Sequence, residues 1–190
     1  METTYALSEN KTLKIFLDQN PDTPRSWDNM AKMIFFGKHK HLGDNHEFRA
    51  DDYSGWDEME KAICRKYNVA IIKKVYAYSH SGMTIALTPF SCKWDSGILG
   101  FAVVTKEAIR ENFMVKRVTK ELIEKATLVL EGEVETLDQY ITGDIYGFKV
   151  EDANGEEVDS CWGFFGADLK ENGILDHIDE VDKALVLEKL

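Results

Sequence analysis

Two pairs of strand-like segments, each joined by a short turn, restrict the possible folds of this chain more than any other feature. The segments are rich in β-branched, aromatic and aliphatic residues, and the turns carry Gly, Ser or Asn. The pairs are residues 69–78 with 83–88, and residues 144–152 with Glu157–Phe165. Asn154-Gly155, between the second pair, is the strongest short-range hairpin signal in the chain. Because a short turn joins antiparallel neighbours, these segments predict an antiparallel sheet.

Further strands and helices surround these hairpins. Thr12–Leu17 has apolar residues at alternate positions and predicts a strand, and residues 98–104 predict a third strand beside the first hairpin. Ser54, with Asp57 three positions later, resembles a capping box at the start of a helix. Residues 28–36 fit either a helix or a short strand at 33–36. Helices are predicted at residues 54–67, Lys106–Asn112, 119–141 and in the tail from residue 178.

Helices between groups of strands are typical of an α+β fold, here an antiparallel sheet built from hairpins with flanking helices. The length of 190 residues and the apolar fraction of 44% favour a single domain over residues 1–190. No apolar run approaches 18 residues and no signal-peptide pattern opens the chain, so neither a membrane span nor secretion is expected. The scattered cysteines Cys64, Cys92 and Cys161 form no paired framework, which favours a reducing cytoplasm.

The net charge of −11 is distributed unevenly along the chain. Residues 1–130 are nearly neutral, with 19 Lys and Arg against 17 Asp and Glu, whereas residues 131–190 carry 4 against 17. An acidic surface repels nucleic acid and attracts basic clefts, including those built to bind nucleic acid. The alternative is that the acidic residues only keep the protein soluble and bind no partner. The predicted partner-binding residues are Glu131, Glu133, Glu135, Asp138, Glu151, Asp152, Glu156 and Glu157.

Residues 78–100 form the densest group of chemically special residues and contain the catalytic candidates His80, Cys92 and Asp95. A thiol nucleophile needs a base within hydrogen-bond reach, so Cys92 with His80 is the first pair to consider. His80 lies at the tip of the predicted hairpin, however, and Cys92 follows a strand about 20 Å long, which would separate the two. Cys92 therefore fits a buried apolar position better, and Asp95 fits an ordinary Asp-Ser-Gly turn.

Two tryptophans near glycines, Trp94 and Trp162, fit either surface anchors for a partner or, more readily, buried core residues. Loop 89–97 is expected to be ordered, with a proline that ends the preceding strand and Gly97 at a positive φ. Within this loop, we expect Trp94 to pack against the sheet or against the strand that contains Trp162. We expect Asp95 to accept hydrogen bonds from nearby backbone amides.

The long connection 37–54 contains the metal candidates His39, His41 and Asp44. In extended backbone the two histidines would face the same side, and imidazole with carboxylate suits zinc, manganese or iron. Lysines interleaved with the histidines oppose a cation, and the spacing matches no established ligand motif, so an ordered polar loop is favoured. No cofactor is expected, since the chain has no Gly-rich turn between a strand and a helix.

A basic run precedes the acidic third of the chain. It consists of Arg110, Lys116, Arg117, Lys120 and Lys125. On one face these residues could contact phosphate groups, which would allow direct binding of nucleic acid. A solvated helix surface is the favoured interpretation, because few aromatic residues are interleaved with the charges.

Six short motifs resemble those of a family of uncharacterised proteins encoded by tailed phages and integrated mobile elements. They are Trp27-Asp28-Asn29-Met30, His41-Leu42-Gly43-Asp44, His80-Ser81-Gly82, Pro89-Phe90-Ser91-Cys92-Lys93-Trp94-Asp95-Ser96-Gly97, Gly143-Asp144-Ile145-Tyr146-Gly147-Phe148 and Asp159-Ser160-Cys161-Trp162-Gly163-Phe164. The resemblance covers residues 20–166 and attaches no activity, so no catalytic residue follows from it. It implies a phage or mobile-element setting.

In that setting, small acidic proteins that are not virion parts often inhibit host defence, as anti-restriction and anti-CRISPR proteins do. The resemblance and the charge together predict a cytoplasmic inhibitor whose acidic surface docks into a host defence nuclease or another nucleic-acid-binding protein. The alternative is a hydrolase acting on a nucleotide or nucleic acid. It would use His39, His41 and Asp44 with a metal, or Cys92 with a histidine.

Overall fold

The computed structural model describes residues 3–190, which form two compact units. Unit 1 consists of Met1–Thr23 and Gln139–Leu190, and unit 2 is the continuous segment Pro24–Asp138. Over the described residues each unit contains one four-stranded antiparallel sheet, which confirms the predicted α+β class. That residues 1–190 form a single domain stays a prediction.

The elements are numbered here in chain order over residues 3–190. The strands are β1 (Thr3–Ala6), β2 (Thr12–Leu17), β3 (Lys32–Phe35), β4 (Val69–Ser79), β5 (Met83–Ala86), β6 (Ser96–Thr105), β7 (Ile145–Glu151) and β8 (Glu157–Phe165). The α-helices are α1 (Trp56–Tyr67), α2 (Lys106–Asn112), α3 (Lys120–Thr142) and α4 (Glu180–Leu187). Short 3-10 helices occur at Ser8–Asn10, Pro24–Ser26, Gly37–Leu42, Ala50–Asp52 and Ile174–His177. All four predicted helices and the predicted strand Thr12–Leu17 are confirmed.

In unit 2 the strand order is β3-β6-β4-β5, and all neighbours are antiparallel. The predicted hairpin of residues 69–78 and 83–88 is confirmed as β4 with β5. The predicted third strand is confirmed as β6, which pairs with β4. Residues 99–104 of β6 are buried without a break, as expected for a central strand covered on both faces.

Helices α1 and α3 cover opposite faces of this sheet. Lys73 Nζ pairs with Glu131 of α3 at 2.6 Å, and Lys74 Nζ pairs with Asp57 of α1 at 3.0 Å. Successive side chains of a strand point to opposite faces, so the two helices lie on opposite sides. On the α1 side the buried core residues are Ile34, Phe36, Met59, Ile63, Phe101 and Val103.

In unit 1 the strand order is β1-β2-β7-β8, again antiparallel. The predicted Asn-Gly hairpin is confirmed as β7 with β8. Its turn forms because Gly155 adopts a φ of +82° and the Asp152 carboxylate accepts hydrogen bonds from the amides of Asn154 and Glu156. The buried core of this unit consists of Leu7, Leu13, Ile15, Phe148, Val150, Leu169, Ile174, Leu175 and Val186.

The cap of helix α1 differs from the prediction. Ser54 donates from both its amide and its hydroxyl to Glu58 Oε2, each at 2.7 Å. These two bonds lower the pKa of the Glu58 carboxyl below its ordinary value. Asp57 instead reaches Lys74 of β4. The N-cap is Gly55 and no side chain caps the helix, so the predicted capping box of Ser54 with Asp57 is wrong.

For residues 28–36 the sequence fits either a helix or a short strand, and the structure has the strand β3 there. Met33, Ile34 and Phe35 of this strand are all buried at the edge of the unit 2 sheet. Residues 37–54 contain two 3-10 helices, Gly37–Leu42 and Ala50–Asp52. Among residues 3–190, none of the helices combines the length and the hydropathy needed to cross a membrane.

Candidate functional site

The densest part of the sequence forms one corner of unit 2. Strand β6 starts opposite the end of β4, so residues 87–95 fold back along the hairpin. The Ser79 amide donates to the Asp95 main-chain oxygen at 2.8 Å and joins the hairpin tip to the end of this loop. The prediction that His80 and Cys92 lie a strand length apart is wrong, because β6 begins beside the tip and not beside the far end of β5.

The Asp95 carboxylate contacts both of the other catalytic candidates. Its Oδ2 lies 3.4 Å from His80 Nδ1 and accepts a hydrogen bond from Cys92 Sγ at 3.7 Å. The Ser96 hydroxyl donates to the Cys92 carbonyl oxygen and holds the loop against the start of β6. The carboxylate of Asp95 therefore braces the loop through side chains, whereas the sequence predicted backbone amides as its donors.

This arrangement does not activate Cys92 as a nucleophile. A nucleophilic thiol transfers its proton to a base, whereas the Cys92 thiol faces a carboxylate that His80 also contacts. The His80 side chain is 69% exposed, so solvent weakens its attraction to Asp95. The three catalytic candidates, His80, Cys92 and Asp95, therefore lie together, although the sequence predicted that His80 and Cys92 would be separated. Their geometry is that of a braced turn.

Trp94 stands on this turn with 96% of its surface exposed, so the prediction that it packs against the sheet or against β8 is wrong. Phe90 anchors the loop instead, since its ring centroid lies 5.8 Å from that of Tyr78. Trp162 of β8 is also 45% exposed, and it covers Gly147, where an added side chain would overlap the indole ring. Both tryptophans therefore favour the surface interpretation over the core interpretation.

A cavity of about 560 Å³ opens beside this corner. It lies between the 3-10 helix Gly37–Leu42 and the start of β6, and thus joins two regions that are far apart in the sequence. Its aromatic lining residues are Phe36, Trp56 and Trp94, and its charged or titratable ones are Lys38, His39 and Asp95. One metal candidate and one catalytic candidate therefore share a single cavity.

The metal candidates do not converge. Asp44 pairs with Arg25 at 2.6 Å and accepts a hydrogen bond from the Met33 amide at 2.7 Å, so its carboxylate is committed within unit 2. The rings of His39 and His41 lie 6.3 Å apart between centroids. Within residues 3–190 no group of three or more His, Cys, Asp or Glu side chains is arranged to hold a metal ion.

His39 nevertheless has an unusual environment. Its Nε2 is buried and has no hydrogen-bond partner among the described residues. Burial lowers the pKa of the imidazole, and the positive charge of Lys38 lowers it further. These effects favour the neutral imidazole, and its buried Nε2 can bond to a polar group.

Two of the predicted partner-binding residues have internal structural roles. Glu133 of α3 accepts hydrogen bonds from the amides of Met30 and Ala31 and lies 3.5 Å from Arg25, and its side chain is only 14% exposed. Burial raises the pKa of this carboxyl, although those donors oppose the shift. Asp138 accepts hydrogen bonds from the Thr84 hydroxyl and the Ile85 amide. Their carboxylates hold α3 to the rest of unit 2.

The other predicted partner-binding residues lie nearer to solvent. Four of them pair or brace locally: Glu131 with Lys73, Glu151 with Lys14, Glu157 with Lys149, and Asp152 in the β7–β8 turn. Glu135 and Glu156 are exposed, and neither has an ion pair within the described part of the chain. Exposed carboxylates are those that remain available to a basic partner.

The charge divides more sharply between the units than along the sequence. Unit 1 contains 17 Asp and Glu against 6 Lys and Arg, which is a net charge of −11, whereas unit 2 contains 17 of each. The whole net charge of the chain therefore belongs to unit 1. The sequence analysis divides the charge at residue 130 and so places Glu131, Glu133, Glu135 and Asp138 in the acidic part of the chain. In the structure these four residues belong to neutral unit 2.

The basic run lies at the end of α2, the start of α3 and the connection between them. Arg110, Lys116, Arg117 and Lys120 are all exposed. Met114, in the same connection, is 92% exposed. A solvated surface explains these residues, as the sequence interpretation favoured.

Sequence reasoning missed Arg25. Its guanidinium pairs with Asp44, approaches Glu133 and donates to the Ala31 carbonyl oxygen at 2.8 Å. Its side chain is only 10% exposed, although it follows a proline in a stretch that looks like a surface loop. No local pattern marks such a residue, because its partners come from distant segments.

Comparison of the chain with protein-family models, curated proteins and solved structures finds no match.

Proposed function

We propose that this protein is an inhibitory binding module whose acidic unit 1 docks onto the basic, nucleic-acid-binding surface of a host defence protein. The observation that carries this proposal is the concentration of the entire net charge of −11 in unit 1, beside a neutral unit 2. The partner class is a defence nuclease of the restriction or CRISPR type. The resemblance to phage and mobile-element proteins supplies this setting.

Electrostatics supports the proposal. A cleft that binds nucleic acid is lined with Lys and Arg, and it attracts any surface of dense negative charge. Opposite charges across an interface accelerate encounter and select the partner. Because screening grows with ionic strength, association should weaken as salt is raised. Nucleic acid should compete with the protein for the same cleft.

The exposed carboxylates of unit 1 would make the contacts. Glu156, Asp159, Glu171 and Glu188 are all exposed, and none of them has an ion pair among residues 3–190. Glu156 lies in the β7–β8 turn, which Asp152 and Gly155 hold in a fixed conformation. A rigid turn loses little conformational entropy when it binds.

The same geometry argues against the hydrolase alternative. The Cys92 thiol donates to the Asp95 carboxylate and not to the imidazole of His80, which contacts the same oxygen. Asp44 is neutralised by Arg25 and is not available to a metal. A binding module requires neither group.

The test is inhibition of plasmid cleavage by a panel of purified restriction and RNA-guided nucleases. The wild-type chain should inhibit at least one of them, with a potency that falls as salt rises. The double variant Glu156→Lys with Glu171→Lys should lose roughly tenfold or more in potency, since like charges across an interface are strongly unfavourable.

The matched control is Glu107→Lys with Glu111→Lys, which makes the same change of charge at two exposed positions of α2 in neutral unit 2. This control should inhibit like the wild type, and both double variants should keep the wild-type circular dichroism spectrum. A chain that inhibits no nuclease of the panel, or equal losses in the two double variants, contradicts the proposal.

A further inference from the structure

The cavity of about 560 Å³ in unit 2 has a size typical of small-molecule sites, which occupy roughly 300–1,000 Å³. It lies outside unit 1 and plays no part in the proposed docking. Its lining combines two indole rings, a lysine, a histidine and an aspartate. Such a combination of flat apolar walls and a few charged groups calls for a ligand with a planar ring and a charge.

Of the two tryptophans in the lining, one is held in place by other rings and the other is exposed to solvent. The Trp56 ring meets Phe36 edge-on, with centroids 5.8 Å apart and an interplanar angle of 74°, and lies 5.8 Å from Phe101. These contacts hold Trp56 in place. Trp94, by contrast, leaves 96% of its surface to solvent. An exposed indole at a cavity offers a face on which a planar ring can stack.

The charged part of the lining is positive on the side of the 3-10 helix. Lys38, on the 3-10 helix Gly37–Leu42, is exposed and has no ion pair among the described residues. His39 adds a buried Nε2 that lacks a partner in the part of the chain that the structure describes. Lys38 suits a phosphate of the ligand, and the Nε2 of His39 suits a neighbouring ligand group that accepts or donates a hydrogen bond.

The cavity also has one carboxylate in its lining, that of Asp95. The described contacts of the Asp95 side chain, with His80 and Cys92, both use Oδ2. A carboxylate in this position accepts hydrogen bonds from exocyclic amino groups or ring N–H groups of a base.

We propose that this cavity binds a nucleotide. The base stacks on Trp94 and bonds to the Asp95 carboxylate, and the phosphate lies at Lys38. Base–aromatic stacking next to positive charge is the usual way in which proteins hold nucleotides and single strands. An apolar ligand would leave Lys38 and Asp95 without a role, and inorganic phosphate would leave both indoles without one. The shared chemistry is that of a free mononucleotide or of one nucleotide of a single strand.

Gly97 provides a way to narrow the cavity without unfolding the protein. It lines the cavity within β6, and a Cβ built there meets no atom within 4 Å. Its φ is not positive, contrary to the sequence prediction, so a side chain causes no backbone strain. Valine favours strands, and Gly97→Val should therefore narrow the cavity beside Trp94 and Asp95 while the unfolding midpoint stays the same or rises.

The test is isothermal titration calorimetry of the full chain with adenosine and guanosine monophosphates, adenosine, inorganic phosphate and a short single-stranded oligonucleotide. Mononucleotide or oligonucleotide should bind more tightly than adenosine or phosphate alone, and the tighter of the two identifies the source of the nucleotide. Trp94→Ala should weaken binding roughly fivefold or more, the loss expected for one stacked base. Lys38→Glu should weaken the nucleotides but not adenosine.

Trp162→Ala is the matched control, because it removes a second exposed tryptophan, which belongs to unit 1 and does not line this cavity. It should bind nucleotides like the wild type, and Gly97→Val should bind them more weakly than the wild type does. Absence of binding by the wild type at millimolar nucleotide, or full binding by Gly97→Val, overturns the proposal. Inhibition of nucleases, measured on the same variants, should be unchanged, so failure of this proposal is distinguishable from failure of the docking proposal.

Discussion

Among the acidic residues, Glu133 is the one whose replacement should lower the free energy of unfolding most. The change to consider is Glu133→Ala, which removes the carboxylate that holds α3 to the segment before β3. That carboxylate accepts hydrogen bonds from the Met30 amide at 2.8 Å and the Ala31 amide at 3.1 Å, and it lies 3.5 Å from Arg25. The side chains of Glu133 and Arg25 are only 14% and 10% exposed. Water therefore cannot readily replace the lost acceptor.

The expected cost follows from these contacts. Removing one partner of a buried ion pair costs about 3–5 kcal/mol, because the remaining charge stays buried and uncompensated. Each buried amide that loses its acceptor adds about 1–3 kcal/mol, although Asp44 continues to pair with Arg25 and reduces the total. We expect Glu133→Ala to lower the free energy of unfolding by about 3–5 kcal/mol. Glu133→Gln keeps one acceptor oxygen and should cost about 1–2 kcal/mol.

Urea unfolding followed by circular dichroism measures both values. Glu135→Ala is the matched control, since Glu135 lies on the same helix, is exposed and has no ion pair within residues 3–190. It makes the same change in helix propensity, and its effect should stay within about 0.5 kcal/mol. Equal effects of the Ala substitutions at positions 133 and 135 would refute the assignment of a structural role to Glu133.

Three further predictions test other features of the structure. Gly147→Ala should lower the free energy of unfolding by about 1–3 kcal/mol because the new Cβ overlaps the Trp162 ring, and a Trp162→Ala background should remove most of that loss in a urea titration. Asp182→Ala should cost about 1–3 kcal/mol in the same assay, because Asp182 is only 2% exposed and is the acceptor for the Ser8 amide at 2.6 Å; a cost within error of zero contradicts it. The pKa of His39 should lie below the ordinary histidine value, since burial opposes its charged form, and an NMR titration midpoint at or above that value contradicts this. The unfolded chain then binds the extra proton first, so the wild type should lose stability relative to His39→Gln as pH falls through the ordinary histidine value.

The sequence predicts those parts of the fold that local chemistry determines. The β7–β8 turn forms where Asn154-Gly155 requires it, because only a few residue types accept the positive φ that Gly155 adopts. Strand β6 is recognisable from its uninterrupted apolar run, which suits a strand covered on both faces. Helix α2 matches its prediction to the residue, since Thr105 accepts a hydrogen bond from the Ala108 amide and fixes the start.

The parts that the sequence does not predict depend on contacts between distant segments. Glu133 has the appearance of a surface residue on an acidic helix, and its acceptor role depends on amides about a hundred positions earlier in the chain. Trp94 and Phe90 are equally good candidates to anchor one loop, and only the position of Tyr78 decides for Phe90. The meeting of His80 with Cys92 depends on which end of β4 the start of β6 adjoins. That is a property of topology, which residue patterns leave open.

The division of unit 1 between the two ends of the chain has a consequence for the order of folding during synthesis. Strand β2 must wait for β7, since Lys14 and its partner Glu151 are 137 positions apart in the sequence. Closing a loop of that length costs roughly 3 kcal/mol more than closing a five-residue turn, if the intervening chain is unstructured. Unit 2 is continuous, and all of its described strands are synthesised before residue 139 is made. The neutral unit therefore completes its sheet first, while the β1–β2 hairpin of the acidic unit is still without its neighbour, and the charged surface is assembled last.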